Sequence, residues 1–304
     1  MTLHQLPLAS KDKVIIVGAG IGGLASSVRL SHLGYQVSVF EKAKNAGGKL
    51  RTIMGSTGDI DVGPTVLTLL PIFKKLFKSV GEDIFEHIEL VRQKIIARHW
   101  WPDGTSLDLH DNFEASRDAI LSFSGSNSAH EFEKYFFDTK DLFSCFETPV
   151  MQNPKPSLLD MNRAVFSNPR ILTKIHPSRS LSSSLKLKFS DYRLQQLFAR
   201  YSTYVGGSPL ESPALLSLIW QAEARGVWSI KGGMKKLARV LEKLALDRGA
   251  SFTYDSEVQE FNTEGDRLVS ITDNRGNKHR ADKFIFNGDP RCLLYTSPSP
   301  RDRG

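Results

Sequence analysis

The sequence predicts an α/β protein in which a Rossmann-like nucleotide-binding domain is interrupted by an α+β insert. Three observations predict it. A glycine-rich turn near the N-terminus joins one short apolar run to a helical pattern and then to a second apolar run. From about residue 86 the pattern changes to a strand–turn–strand followed by aromatic-rich helical segments. After residue 229 a glycine pair opens a second amphipathic helix, and strand patterns return. The expected division is 1–85 with 230–291 for the nucleotide-binding part and 86–229 for the insert.

The opening motif is "KVIIVGAGIGGLASSVRLSHLGYQVSVFEK". Val14 to Val17 are apolar and β-branched, as in a buried parallel strand. Gly18, Gly20 and Gly23 then follow in G-x-G-x-x-G order, and Ile21, Leu24, Ala25 and Val28 recur at helical spacing. Gly18 permits the tight turn, Gly20 lets backbone approach a pyrophosphate, and Gly23 lets the helix pack close to the strand. The helix N-terminus adds a positive dipole. Glu41, 23 residues after Gly18, is placed to accept the adenosine ribose hydroxyls and to disfavour a 2′-phosphate. The fingerprint by itself leaves NAD and FAD open.

Six residues after Glu41 comes "GGKLRT", Gly47 to Thr52, and then "DIDVGPTVLT" over residues 59–68. With the opening motif, these resemble the flavin-dependent amine oxidase and phytoene desaturase superfamily. The resemblance implies FAD, with Gly47, Gly48, Lys49 and Arg51 wrapping it and Gly63 approaching the flavin ring. It adds Gly22 and Lys42 to the cofactor set, and it matches Val258 to the residue whose backbone meets adenine. The passage "LFARYSTYVGGSPLESPALLSLIWQAEARGVWSIKGGM", residues 197–234, is similar to bacterial carotenoid desaturases, and within them to the 1-hydroxycarotenoid 3,4-desaturases.

That likeness implies dehydrogenation of an acyclic carotenoid. FAD takes a hydride equivalent from an allylic carbon and a neighbouring proton is lost, extending the conjugation. The allylic cation is delocalised along the polyene, so no strong general base is required. Glu223 is the candidate proton acceptor or hydroxyl ligand; the plainer reading is a helix-surface carboxylate paired with Arg225 or another residue. Trp220 and Trp228 read as substrate-flanking or core. Ten phenylalanines from Phe73 to Phe146 (among them Phe77, Phe113, Phe123, Phe132, Phe136 and Phe143) read as core or as the lining of an apolar tunnel.

Other readings stay open. Rab GDP-dissociation inhibitors resemble the fold and bind prenyl chains without catalysis, and porphyrinogen or amine oxidases share the cofactor motifs. The composition, 40% hydrophobic and 24% charged over 304 residues, is that of a globular protein. Two cysteines give no disulfide framework, and no Cys/His spacing suggests a metal site. No nucleic-acid motif accompanies the net charge of +7. With no leader-like segment or apolar span, the expectation is a cytoplasmic protein, peripheral on the inner membrane.

The charge is uneven. Lys155, Arg163, Arg170, Lys174, Arg179, Lys186 and Lys188 stand against a single acid, Asp160, between residues 150 and 190. Interleaved with apolar residues, they suit an anionic membrane surface, with Lys174, Arg179, Lys186 and Lys188 expected to dock. The run "CLLYTSPSPRDRG", residues 292–304, is expected to be read-through of a sequencing-library adapter, because one of its back-translations spells a transposase end. On that reading Cys292 is not native, and the chain stops short of a C-terminal Gly-Asp-rich flavin segment; weak FAD retention and no activity are then expected of it.

Overall fold

The computed structural model describes residues 12–56 and 58–290. The chain divides into two compact units, one running to Val91 and resuming at Ser229, the other Arg92–Trp228. The predicted read-through segment and Cys292 lie outside the described residues. Among those described, no helix is long and apolar enough to cross a membrane.

In the first unit, β1 (Lys13–Val17), α1 (Ile21–His32) and β2 (Gln36–Phe40) form a strand–helix–strand crossover unit whose two strands pair in parallel. The sheet has four parallel strands in the order Lys283–Phe286, β1, β2, Ser251–Thr253. Val14, Ile15 and Ile16 are buried, which is why this strand reads as a continuous apolar run rather than an alternating one. The helix Lys235–Leu246 packs on α1. Its stripe of Leu237, Ala238, Leu241, Leu244 and Ala245 is entirely buried, and it stops at Gly249, whose φ of +86° suits a helix end. A three-stranded antiparallel meander, Val258–Glu264, Arg267–Asp273 and Lys278–Arg280, covers the sheet through Ile271, which packs with Ile15 and Phe40.

The second unit is built on aromatic packing. Strands Ile95–Trp100 and Ser106–His110 pair antiparallel across a turn closed by Trp101 N donating to Thr105 O at 3.0 Å. The helical patterns on either side of "SGSNS" belong to one run, Phe113–Phe146, kinked at Gly125, where φ and ψ are 84° and 178°. Shorter helices include Leu158–Ser167, Leu181–Lys188, Tyr192–Ala199 and Trp220–Ala224. Phe132, Tyr135, Phe189, Phe198 and Trp220 are buried in one cluster, with Phe113, Phe123 and Phe136 packed against it. Their rings touch one another at centroid distances of 4.6–6.2 Å in pairs such as Tyr135–Phe198 and Phe132–Phe136. Of the two readings of the phenylalanines, these residues follow the core one. Trp220 is core too: its indole N–H donates to Thr139 Oγ1 at 2.9 Å.

Candidate cofactor site

The site forms where the strand order reverses, at the carboxyl ends of β1 and its two neighbours. Gly18 has φ of +99° and its N–H donates to Phe40 O at 2.7 Å, so the turn leaves β1 sharply while tied to β2. A side chain at Gly23 would drive into the Gly18 carbonyl oxygen; the third glycine is needed for helix–strand contact. The 12-residue helix α1 has Gly20 as its cap, with no side-chain capping bond and no acid in its first turn. Its leading N–H groups are therefore left for an anion.

A second glycine pair closes onto this turn. Gly47 N donates to Ala19 O at 2.9 Å, Gly20 and Gly47 form a parallel bridge, and a Cβ on Gly48 would stand 3.0 Å from the Gly20 Cα. The two glycine segments are thus stacked backbone on backbone, a cradle that side chains would fill.

Glu41 is buried, and its carboxylate accepts from Ala19 N at 2.6 Å and Ala43 N at 2.9 Å. It is oriented by the very turn it accompanies, and a carboxylate with about four acceptor positions retains capacity for the ribose hydroxyls. Ser256 N donates to Glu41 O at 3.0 Å, which fixes the start of the strand at Val258 two residues further on. The Val258 side chain packs on the Ile15, Phe40 and Ile271 cluster.

The rest of the expected set divides. Lys42 is exposed and lies 3.8 Å from Glu257. Lys49 and Arg51 are exposed and have no side-chain bond among the described residues. Gly63 admits the Lys49 carbonyl, into which a Cβ would collide. The close approach seen here is thus chain to chain, holding the Gly-Gly-Lys segment against the loop after Asp61.

Two residues went unnoticed in the sequence. Asn287, just beyond strand Lys283–Phe286, donates through Nδ2 to Gly18 O at 3.3 Å, and a Cβ on Gly22 would stand 2.5 Å from its Oδ1. A side chain at Gly22 would therefore have to displace the Asn287 amide. Asp61 Oδ2 accepts from Met234 N at 2.9 Å, anchoring the start of helix Lys235–Leu246. Elsewhere Glu82, Glu86 and His87 bring ligand atoms within 4.8 Å of one another, but the Glu82 carboxylate is already engaged by Arg248 at 2.6 Å and His87 at 2.8 Å.

Glu223 belongs to the second unit and is buried there, not on a helix surface. Arg225 pairs instead with Glu147 at 2.8 Å. The partners of Glu223 are Arg200, Tyr201 and Tyr204.

The family profile of flavin containing amine oxidoreductases matches residues 21–303. The chain belongs to that family. Its cofactor is FAD, and the glycine cradle, the open helix N-terminus and Glu41 fit the adenosine diphosphate part of that molecule. The chain is 41% identical over 282 residues to a hydroxyneurosporene desaturase of Cereibacter sphaeroides, covering 93% of this chain and 57% of that protein. It is 38% identical over 286 residues to the hydroxyneurosporene desaturase of Rhodobacter capsulatus, covering 94% and 58%. The chain thus spans a little over half the length of these relatives. A putrescine oxidase structure superposes with a TM-score of 0.65 at 14% identity, covering 94% of this chain and 60% of that one. A Rab GDI from Plasmodium falciparum superposes with a TM-score of 0.55 at 13% identity, covering 94% and 67%. At such identities these two show the fold alone.

The Glu41 geometry predicts a role in stability besides any in binding. Glu41→Ala leaves two backbone N–H groups without their acceptor, at about 1–3 kcal/mol each where burial is complete. Denaturant unfolding without flavin is expected to show a loss of about 2 kcal/mol or more for Glu41→Ala and a smaller one for Glu41→Gln. Equal stability of all three proteins would contradict it.

Proposed function

We propose that the chain is part of an FAD-dependent carotenoid desaturase that introduces a C–C double bond into an acyclic, hydroxylated carotenoid. The observation that carries this reading is the 41% identity to a hydroxyneurosporene desaturase, sustained over 282 residues and both units. A Gly-Gly-Lys segment stacked on an intact glycine turn supports it from the geometry.

Bound FAD supplies the hydride acceptor. The residues of this chain do the remaining work. Gly18 shapes the turn and Gly23 the helix–strand contact, so that Gly20 and the first turn of α1 would bring backbone N–H groups to the pyrophosphate, and Glu41 would take the ribose. Neither Trp220 nor the buried phenylalanines offers a proton acceptor. The allylic cation left on the substrate is delocalised, so its neighbouring proton is acidic enough to pass to a weak base, water included. Desaturation would remove two hydrogens from the substrate, a hydride for which bound FAD would be the acceptor and a proton.

The test uses the complete gene product, expressed with a supply of hydroxylated acyclic carotenoid. The expected product has lost two hydrogens and absorbs at longer wavelength. Unchanged pigment beside a flavin-loaded protein would count against the reading and favour the porphyrinogen or amine oxidase alternative. Unchanged pigment without flavin would favour a lipid carrier.

We infer further that the second unit docks on an anionic bilayer, from which so insoluble a substrate must be drawn. Helix Leu158–Ser167 begins at a capping box between Ser157 and Asp160 and has no buried residue. Leu158, Leu159 and Phe166 are 77%, 77% and 79% exposed; at 100° per residue they share one face with Arg163 at its edge. Arg170, Arg179 and Lys186 are exposed as well, and Leu172 and Leu187 stand beside them in sequence as further exposed apolar side chains. Lys174 and Lys188 do not belong to this set: both pair with Asp138 at 3.1 Å, and Lys174 also with Asp141 at 2.6 Å.

The docking charges are accordingly Arg163, Arg170, Arg179 and Lys186, each worth about 1 kcal/mol at an anionic surface. Sedimentation with phosphatidylserine-containing vesicles is expected to fall at least tenfold in a triple Leu158→Ser, Leu159→Ser, Phe166→Ser variant. It is also expected to fall with added salt. Binding unaffected by the triple substitution would remove this helix as the contact.

A further inference from the structure

Resting on the carotenoid reading above, we propose that Glu223, Arg200 and Tyr204 form a subsite that binds a hydroxyl group carried by the otherwise apolar substrate. The second unit is filled with aromatic and aliphatic side chains, yet it gathers a carboxylate, a guanidinium and two phenols at one place. Glu223 is 6% exposed. Its Oε2 accepts from Arg200 Nη2 and, at 2.8 Å, from the Tyr201 hydroxyl. Its Oε1 accepts from the Tyr204 hydroxyl alone.

A carboxylate oxygen has room for two hydrogen bonds, so Oε1 has capacity for one more donor. The second phenol marks where that donor comes from. Tyr201 is fully buried, whereas Tyr204 is 53% exposed and is followed by exposed Val205 and, after a glycine turn, exposed Leu210. The carboxylate therefore meets the outside beside an apolar rim. An apolar chain ending in a hydroxyl matches that pattern: the chain covers the rim, and the hydroxyl donates to Glu223 Oε1 and accepts from a neighbouring donor.

Arg200 ties the cluster together but is itself incompletely matched. Among the described residues its Nε is buried without a partner, as is Nδ1 of His99, on the strand Ile95–Trp100. Buried polar atoms are nearly always paired, and two unpaired ones at one carboxylate cluster indicate a polar guest. Burial, then the Arg200 charge, holds the His99 ring below its usual pKa, with Glu223 opposing. Burial, then the bond to Glu223, raises the Tyr204 phenol above its usual range, so it remains a donor at neutral pH. Three donors on Glu223 also leave it poorly suited as the base for the substrate proton, and its place is in positioning and specificity.

A purely structural network would brace Arg200–Val205 against helix Trp220–Ala224 and nothing more. The two roles separate in a binding experiment on the chain itself, using two soluble terpenoid probes. One is the tertiary alcohol dihydromyrcenol; the other is the corresponding hydrocarbon, dihydromyrcene. Binding is read by quenching of tryptophan fluorescence. The alcohol is expected to bind on the order of tenfold to a hundredfold tighter than the hydrocarbon.

Tyr204→Phe, which keeps the ring and removes one half-exposed hydroxyl, is expected to lower affinity for the alcohol without changing that for the hydrocarbon. Glu223→Gln is expected to do the same more strongly, and Tyr204→Phe stands as the test should Glu223→Gln fail to fold. Equal affinity for the two probes, or a parallel loss of both in Tyr204→Phe, overturns the subsite while the apolar-substrate reading stands. Binding of neither probe overturns the subsite and counts against that reading as well.

Discussion

The first unit depends on one steric constraint: backbone must meet backbone where α1 leaves β1. The third glycine, Gly23, lies so close to the Gly18 carbonyl that no side chain fits between them. That contact sets the height of α1 over the sheet. It thereby sets where helix Lys235–Leu246 can pack on α1, and it leaves the first turn of α1 facing the crevice at the strand ends. Gly48 against Gly20 and Gly63 against the Lys49 carbonyl extend the same principle outward. Three segments far apart in sequence are layered at main-chain distance. A site built this way would offer a phosphate N–H groups that cannot move aside, because hydrogen bonds of 2.6–2.9 Å to Glu41 and Ala19 hold the layers together.

Much of this was legible in the sequence because it is local. The run Val14 to Val17, the glycine spacing and Glu41 all lie within one crossover unit. The stripe from Leu237 to Ala245 and the stop at Gly249 follow from helical periodicity alone. The return of strand patterns after residue 249 is likewise written in apolar runs and turn residues, though not the separate three-stranded meander that three of these strands form. What was not legible is contact between residues distant along the chain. Asn287 meets Gly18 across 269 positions, and nothing in "IFNGDP" declares it. Asp61 reaches Met234 across 173. The fit of Gly63 against the Lys49 carbonyl is a further contact that its motif does not declare.

The second unit shows the same limit through charge. Arg225 stands two residues from Glu223 and invites a local pair, but on a five-residue helix the two side chains diverge. Arg225 goes to Glu147, and Glu223 turns inward to Arg200. Lys174 and Lys188 count as basic surface in a composition window, but Asp138 holds both. In an aromatic core, burying a carboxylate is costly unless every donor around it is placed. The fold supplies three such donors from one short helical turn, Arg200–Val205. The basic helices lack that compensation and leave their charge, with Leu158, Leu159 and Phe166, on the outside.

On the proposed function, the glycine layers and Glu41 hold the adenosine diphosphate part of FAD. The most direct measurement is calorimetric titration of the chain with ADP-ribose and with 2′-phospho-ADP-ribose. ADP-ribose is expected to bind, and the 2′-phosphorylated form at least about tenfold more weakly, since a phosphate beside the Glu41 carboxylate meets like charge within a few ångströms. Equal or tighter binding of the phosphorylated form would contradict it.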